Sequence, residues 1–308
     1  MRRSVFILIA IMLAVACGKK AGSGKPKVAV SIFPLYDVTR RIAGDRFEVM
    51  LVLPPGKSEH GYDPTPKEIA RLQGAKLGVA VGLDMDGWVE NIIRSAGGAK
   101  VLRVGDKVKT MAIDVAPIED EAAEAAGGHH EEEHEHEKVG APDPHVWLDP
   151  ERMTTIVDAI AAELTSIDAE GKDTFAKNAE AVKTSLKNVD AALATRSKAW
   201  TKHTIVTFHG SMAYFAKRYG LRIAAVVEPI AGKEPTATYI AEVIAAIKRN
   251  QAAALFIEPQ LDRGPGDTIA REAGIPLGEL DPVGGVPGRD SYEALLTWNA
   301  DQLEKALK

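Results

Sequence analysis

The chain has 308 residues, enough for two domains of roughly 100–150 residues each. Hydrophobic residues make up 45% and charged residues 26%, which excludes disorder or a collagen-like repeat for the chain as a whole. The net charge of −5 speaks against nucleic acid as a partner, because a phosphate backbone calls for a basic face.

The first apolar run, Val5 to Ala16, is too short to span a bilayer, which takes about 20 residues. It follows Arg2 and Arg3 and closes on Ala14-Val15-Ala16 before Cys17, the pattern of a secretory signal over residues 1–17. Cys17 is the only cysteine in the sequence, so no intrachain disulfide can form. A lone cysteine at such a boundary resembles the lipobox of bacterial lipoproteins, where the thiol is acylated and holds the chain to membrane lipid. Leu13 stands one place further from the cysteine than that pattern usually has it. Cleavage there would remove Arg2 and Arg3 and take the charge from −5 to −7. Residues 18–25, all Gly, Ser, Ala and Lys, read as a flexible tether.

Beyond the tether, short β-branched runs alternate with amphipathic stretches. Val28 to Phe33 reads as a strand, Leu35 to Ile42 as a helix and Phe47 to Leu53 as a second strand closed by Pro54-Pro55-Gly56. Leu77 to Val81 is a continuous apolar run of the kind found in parallel strands covered on both faces. Val101 to Val104 is a fourth candidate. Glu119 to Glu137 then breaks the rhythm: nine carboxylates and four histidines, His129, His130, His134 and His136, with no large apolar residue. Such a segment cannot offset the entropy of ordering and is expected to be a disordered loop. A helix is expected to start near Glu151.

From Lys172 to Ala199, the residues Phe175, Ala179, Val182, Leu186, Val189 and Leu193 recur at helical spacing opposite a polar face, with no internal Gly or Pro. This predicts one long amphipathic helix of roughly 40 Å. After it the strand–helix rhythm returns, with strands at Thr204 to Phe208, Arg222 to Val227, Ala253 to Ile257 and Pro276 to Leu280. The expected fold is α/β: two parallel-sheet lobes, residues 26–168 and 201–308, joined by one long rigid helix over 169–200.

Of the histidines outside the acidic loop, three fall where a strand or loop meets a turn. His60 lies past the second strand, His145 stands before the helix near Glu151, and His209 directly follows Phe208. Asp281 follows Leu280 in the same way as His209 follows its strand. In open α/β sheets, ligands bind beyond the carboxyl ends of strands, so these positions from both halves can converge on one cleft. Three neutral imidazoles and a carboxylate suit a borderline-soft divalent ion, zinc above all.

At these residues the chain resembles the zinc-uptake solute-binding lipoproteins of ABC transporters, a metal-binding family whose two α/β lobes are joined by a helix. The resemblance runs from Lys27 to the C-terminus. It is carried by EHGYDPTP around His60, HVWLDP from His145, TFHGSMAYFAKRYGL around His209, FIEPQ at Phe256 to Gln260, and LDPVGG around Asp281. The resemblance implies His60, His145 and His209 as metal ligands, with Asp281 as the fourth and Glu59 or water as its alternative. Manganese-binding relatives carry a carboxylate where His209 stands, which places this chain on the zinc side. The acidic His-rich loop is a zinc-branch feature too, implying an auxiliary metal loop. The implied function is extracytoplasmic zinc binding, at the periplasm or cell surface, by a lipid-anchored monomer that passes Zn2+ to an ABC permease. Zinc is then cargo, and the protein is not an enzyme.

Other motifs point elsewhere. His130-Glu131-Glu132-Glu133-His134 matches HExxH, but a zinc protease needs that motif on a buried helix with a third ligand. Ser211 near His209 lacks a nucleophile elbow. Glu258, at a strand end, either orients a ligating histidine or serves the fold alone. Trp147 and Tyr62 read as packing residues of the cleft floor, and His203, preceding its strand, as a surface histidine. The rival functions are a metallohydrolase, which needs a general base and an open coordination position, and an adhesin or siderophore binder on the same scaffold.

Overall fold

The computed structural model describes residues 24–60, 62–97, 100–113 and 140–308. The signal, Cys17, most of the tether and the four loop histidines lie outside the described residues, as does the HExxH match. In the first half, β1 (Lys27–Val30) leads into α1 (Phe33–Ala43), then β2 (Glu48–Leu51), α2 (Pro66–Arg71), β3 (Ala75–Ala80), α3 (Gly87–Ser95) and β4 (Lys100–Arg103). After α4 (Pro150–Ile167) comes the long α5 (Lys172–Ser197). The second half runs β5 (Thr204–Thr207), α6 (Ala213–Tyr219), β6 (Arg222–Val226), α7 (Ala237–Asn250), β7 (Leu255–Ile257), α8 (Gly264–Ala273), β8 (Leu277–Glu279) and α9 (Tyr292–Leu307).

The described strands form two sheets, ordered β2-β1-β3-β4 and β6-β5-β7-β8, and every pairing is parallel. The two orders are the same, so each sheet reverses its winding at its centre, between β1 and β3 in one lobe and between β5 and β7 in the other. A crevice opens at the carboxyl ends of such strands. Local chemistry starts the helices. Asp149 caps α4, its side chain accepting from Glu151 N at 2.9 Å ahead of Pro150 at the first turn. Ser291 caps α9 and Thr236 caps α7 in the same manner. α2 is a single short helix set by a capping box between Thr65 and Glu68, a signal in Thr65-Pro66-Lys67-Glu68 that hydrophobic periodicity does not reveal.

α5 holds 26 residues and spans about 39 Å. Its buried face consists of Phe175, Ala179, Val182, Leu186, Val189 and Leu193, the stripe expected from the sequence. That stripe joins the lobes: one apolar cluster runs from Val28 and Leu35 through Trp147 and Leu186 to Phe215, Leu296 and Leu307. Smaller clusters fill the outer layer of each lobe. The lobes therefore share a core, and polar bonds add to the junction. Trp147 Nε1 donates to Pro282 O at 2.8 Å, Tyr292 Oη donates to Trp147 O at 2.6 Å, and Tyr292 N donates to buried Asp37 at 3.1 Å. Arg41 on α1 pairs with Glu293 on α9 at 2.9 Å. Arg218 on α6 reaches Asp149 ahead of α4 at 3.0 Å and Asp190 on α5 at 2.5 Å.

Candidate metal centre

Three segments from different parts of the fold meet between the lobes. His209 directly continues β5: its backbone is extended, with φ −125° and ψ 168°, before a 3-10 turn at Gly210–Met212 leads into α6. The segment is anchored by Phe208 N donating to Phe256 O at 2.8 Å, and by Glu228 N donating to Phe208 O at 2.6 Å. His145 stands at the head of a second 3-10 turn, Val146–Leu148, which delivers the chain into α4. Its backbone N–H and ring Nδ1 both lie 2.9 Å from Asp143 Oδ1. His60 lies on the connection after β2, where its N–H donates to Ser58 Oγ at 3.3 Å and Trp88 Nε1 holds the neighbouring Glu59 carbonyl at 3.2 Å.

The rings converge. Centroids are 4.7 Å apart for His60 and His209, 5.0 Å for His145 and His209, and 5.7 Å for His60 and His145. One nitrogen from each ring lies within 4.8 Å of the others, the spacing at which three donors can share one cation, and among the described residues no other such cluster forms. His145 and His209 are buried and His60 is half-buried, so the opening lies on the His60 side.

Carboxylates surround this cluster. Glu59 is 1% exposed, and its Oε1 has no hydrogen-bond partner among the described residues. Burial pushes its carboxyl up to about 7; the nearby Glu258 carboxylate adds to the rise, while His145 and His209 oppose it. Glu258, at the end of β7, lies 3.8 Å from His209 Nδ1 and accepts from the Ser211 hydroxyl at 2.6 Å. Ser211 is thus a buried donor to an acid. Glu228, past β6, is also pushed up to about 7 by burial, although it accepts from Gly232 N at 3.0 Å.

Asp281 is 1% exposed and sits beyond β8, yet it is not part of the three-histidine cluster. Its Oδ1 accepts from Gln260 Nε2 at 2.7 Å and from Val283 N and Gly284 N at 2.9 Å each, while Oδ2 faces Arg289 at 3.1 Å. Trp147 is fully buried beneath His145, ring centroids 5.2 Å apart, and Tyr62 packs edge-on against Trp88 at 5.2 Å. His203 is exposed and precedes β5, at the far end of that strand from the cluster. Sequence reasoning missed Asp143, Glu228 and Tyr214. Asp143 had a signal, since Asp-Pro-His places a side-chain acceptor two residues before a histidine N–H. The other two have no local signature.

Two parallel sheets bridged by a long helix, with three imidazoles meeting between their carboxyl ends, define a two-lobed α/β protein built around a candidate metal centre. The chain belongs to the ZnuA family, described as zinc-uptake complex component A, periplasmic, which it matches over residues 28–306. It is 30% identical over 284 residues to the zinc-binding lipoprotein AdcA of Streptococcus pneumoniae, covering 92% of this chain but only 55% of AdcA, so it spans about half that relative's length. It is 29% identical to the iron ABC transporter substrate-binding lipoprotein MtsA of Streptococcus pyogenes, over 97% of this chain and 96% of MtsA. The crystal structure of ZnuA shares the fold with a TM-score of 0.78 at 24% identity, covering 92% of this chain and all of that one. No helix among the described residues is long and apolar enough to cross a membrane.

Proposed function

We propose that this protein captures zinc outside the cytoplasmic membrane and hands it to an ABC permease for import, as a monomer held to the membrane by lipid on Cys17. The observation that carries the reading is the cluster of three imidazoles with nitrogens within 4.8 Å of one another. His60, His145 and His209 are the ligands, and Asp281 supplies the fourth position, with Glu59 as its alternative. The lobes are residues 26–168 and 201–308, and 169–200 connects them. No reaction is catalysed: zinc is cargo, and the site's task is to take it up and release it. AdcA is named for zinc and both curated relatives are named lipoproteins, which supports the cargo and the anchor. The His-rich loop, through His129, His130, His134 and His136, gathers zinc at lower affinity and feeds the cleft.

MtsA is named for iron, so the metal must be tested directly. Nitrogen-rich sites follow the affinity order that places manganese lowest and iron next. Competition titration should show zinc bound at least ~1000-fold more tightly than manganese, a difference of about 4 kcal/mol. Metal analysis after gentle purification should find zinc. Comparable affinities for zinc and manganese would overturn the assignment.

A further inference from the structure

We propose that Asp143 is the positioning residue of the metal centre: it sets the ring and tautomer of His145, and Tyr214 fixes it in turn from the opposite lobe. The inference deepens the reading of His60, His145 and His209 as ligands and rests on it. Asp143 is 2% exposed and His145 1% exposed, so little water competes for either group. A carboxylate oxygen only accepts, so the 2.9 Å contact from Asp143 Oδ1 requires a proton on His145 Nδ1. That leaves Nε2 as the nitrogen able to coordinate, and the adjacent negative charge makes it a stronger donor to a cation. The same Oδ1 accepts from the His145 backbone N–H at 2.9 Å, so one atom orients both the main chain and the ring.

Asp143 is itself held. Tyr214, on α6 and five residues beyond His209, is fully enclosed at 1% exposure. Its hydroxyl donates to Asp143 O at 2.9 Å and accepts from Met111 N at 2.9 Å, while the Arg152 guanidinium lies 4.6 Å from its ring centre. Asp143 N donates to Met111 O at 2.8 Å, closing the arrangement. The segment that carries His145 is thereby pinned to α6, which follows His209 after one 3-10 turn. The spacing between these two imidazoles is set before a cation arrives, so binding does not have to order them.

A purely structural Asp143 would serve only the turn, through the His145 N–H, and its loss would leave the ring's tautomer alone. The two roles separate in the metal-free, full-length protein labelled with 15N-histidine. Long-range 1H–15N spectra should show His145 protonated at Nδ1 in the wild type and shifted toward the other tautomer in Asp143→Ala. Zinc competition titration should then find Asp143→Ala weaker by about 10–100-fold, the usual cost of losing such a partner. Asp143→Asn, whose amide oxygen still accepts, should keep the tautomer and lose less affinity. Tyr214→Phe should keep the tautomer and release zinc faster. A folded Asp143→Ala with unchanged tautomer or with wild-type affinity would overturn the proposal. Should that variant not fold, the wild-type spectrum decides the matter: His145 protonated at Nε2 in place of Nδ1 would overturn the proposal equally. The tautomer is read without metal, so a wild-type protein that fails to bind zinc would refute the zinc assignment while leaving the positioning result standing.

Discussion

Replacing Glu59 by Gln should make the metal-free protein more stable at alkaline pH. Its carboxyl is buried beside Glu258 with Oε1 unbonded, and it is pushed from the ordinary 4.5 up to about 7. At about 1.4 kcal/mol per tenfold change in proton affinity, ionising it in the folded chain costs about 3 kcal/mol. Below pH 4.5 both folded and unfolded chains carry the proton, and the contribution is fully present. Between 4.5 and about 7 the unfolded chain releases the proton first, so stability falls as pH rises, and it levels off above that range. Gln imitates the protonated form and has no such loss. Urea unfolding of wild type and Glu59→Gln across pH 4–8.5 should therefore give curves that meet at the acidic end. At the alkaline end the variant should be ahead by up to about 3 kcal/mol. Titrating groups that do not interact with Glu59 are common to the two proteins and cancel, which leaves Glu59 and its neighbours Glu258, His145 and His209. Saturating zinc should shrink the gap, because the cation stabilises the carboxylate it sits beside. Parallel curves across the whole range would refute a buried, proton-holding Glu59.

His60→Ala, His145→Ala and His209→Ala should each abolish tight zinc binding in calorimetry, whereas His203→Ala, exposed before β5, should leave it intact. Equal damage from His203→Ala would mean the wrong histidines have been assigned. Asp37→Ala should destabilise the fold by about 1–3 kcal/mol in urea unfolding, because it strips the acceptor that buried Asp37 offers to Tyr292 N at the start of α9. Deleting residues 128–137 should leave one tight zinc per molecule and remove only weaker binding. Loss of the tight site in that deletion would show that the loop supplies a primary ligand.

Much of the architecture is legible in the sequence because parallel strands buried on both faces must be apolar runs, and their helices must carry an apolar stripe. The α5 stripe from Phe175 to Leu193 appears in the structure residue for residue. Strand ends shift by one to three residues. β2 covers Glu48–Leu51 within the expected Phe47 to Leu53, and β7 covers Leu255–Ile257, although Ala253 N already donates to Thr204 O at 2.8 Å and Ala254 O accepts from Val206 N at 3.0 Å. α1 begins at Phe33 and not Leu35, since Pro34 fits the first turn of a helix, where its missing N–H is not needed. The shared core was not legible. Amphipathic periodicity reports which face of α5 is buried but not that residues of both lobes cover it.

The site divides along the same line. Position at a strand's carboxyl end is a property of topology, and topology follows from the order of elements, so His209 and Asp281 look equivalent in the sequence. They differ in what surrounds them. His209 stands with two other imidazoles, whereas Asp281 is met by donors from Gln260, Val283, Gly284 and Arg289. Gln260 lies 21 positions away, in the connection after β7, a distance no local pattern encodes. The consequence is chemical. With Oδ1 already accepting three hydrogen bonds, Oδ2 is the atom left to meet a cation, and the cation must compete there with the Arg289 guanidinium. A metal bound strongly by three imidazoles alone tolerates that competition, whereas one that depends on oxygen ligands does not. With Asp281 as the proposed fourth ligand, the same residues that hold it in place would favour zinc over manganese.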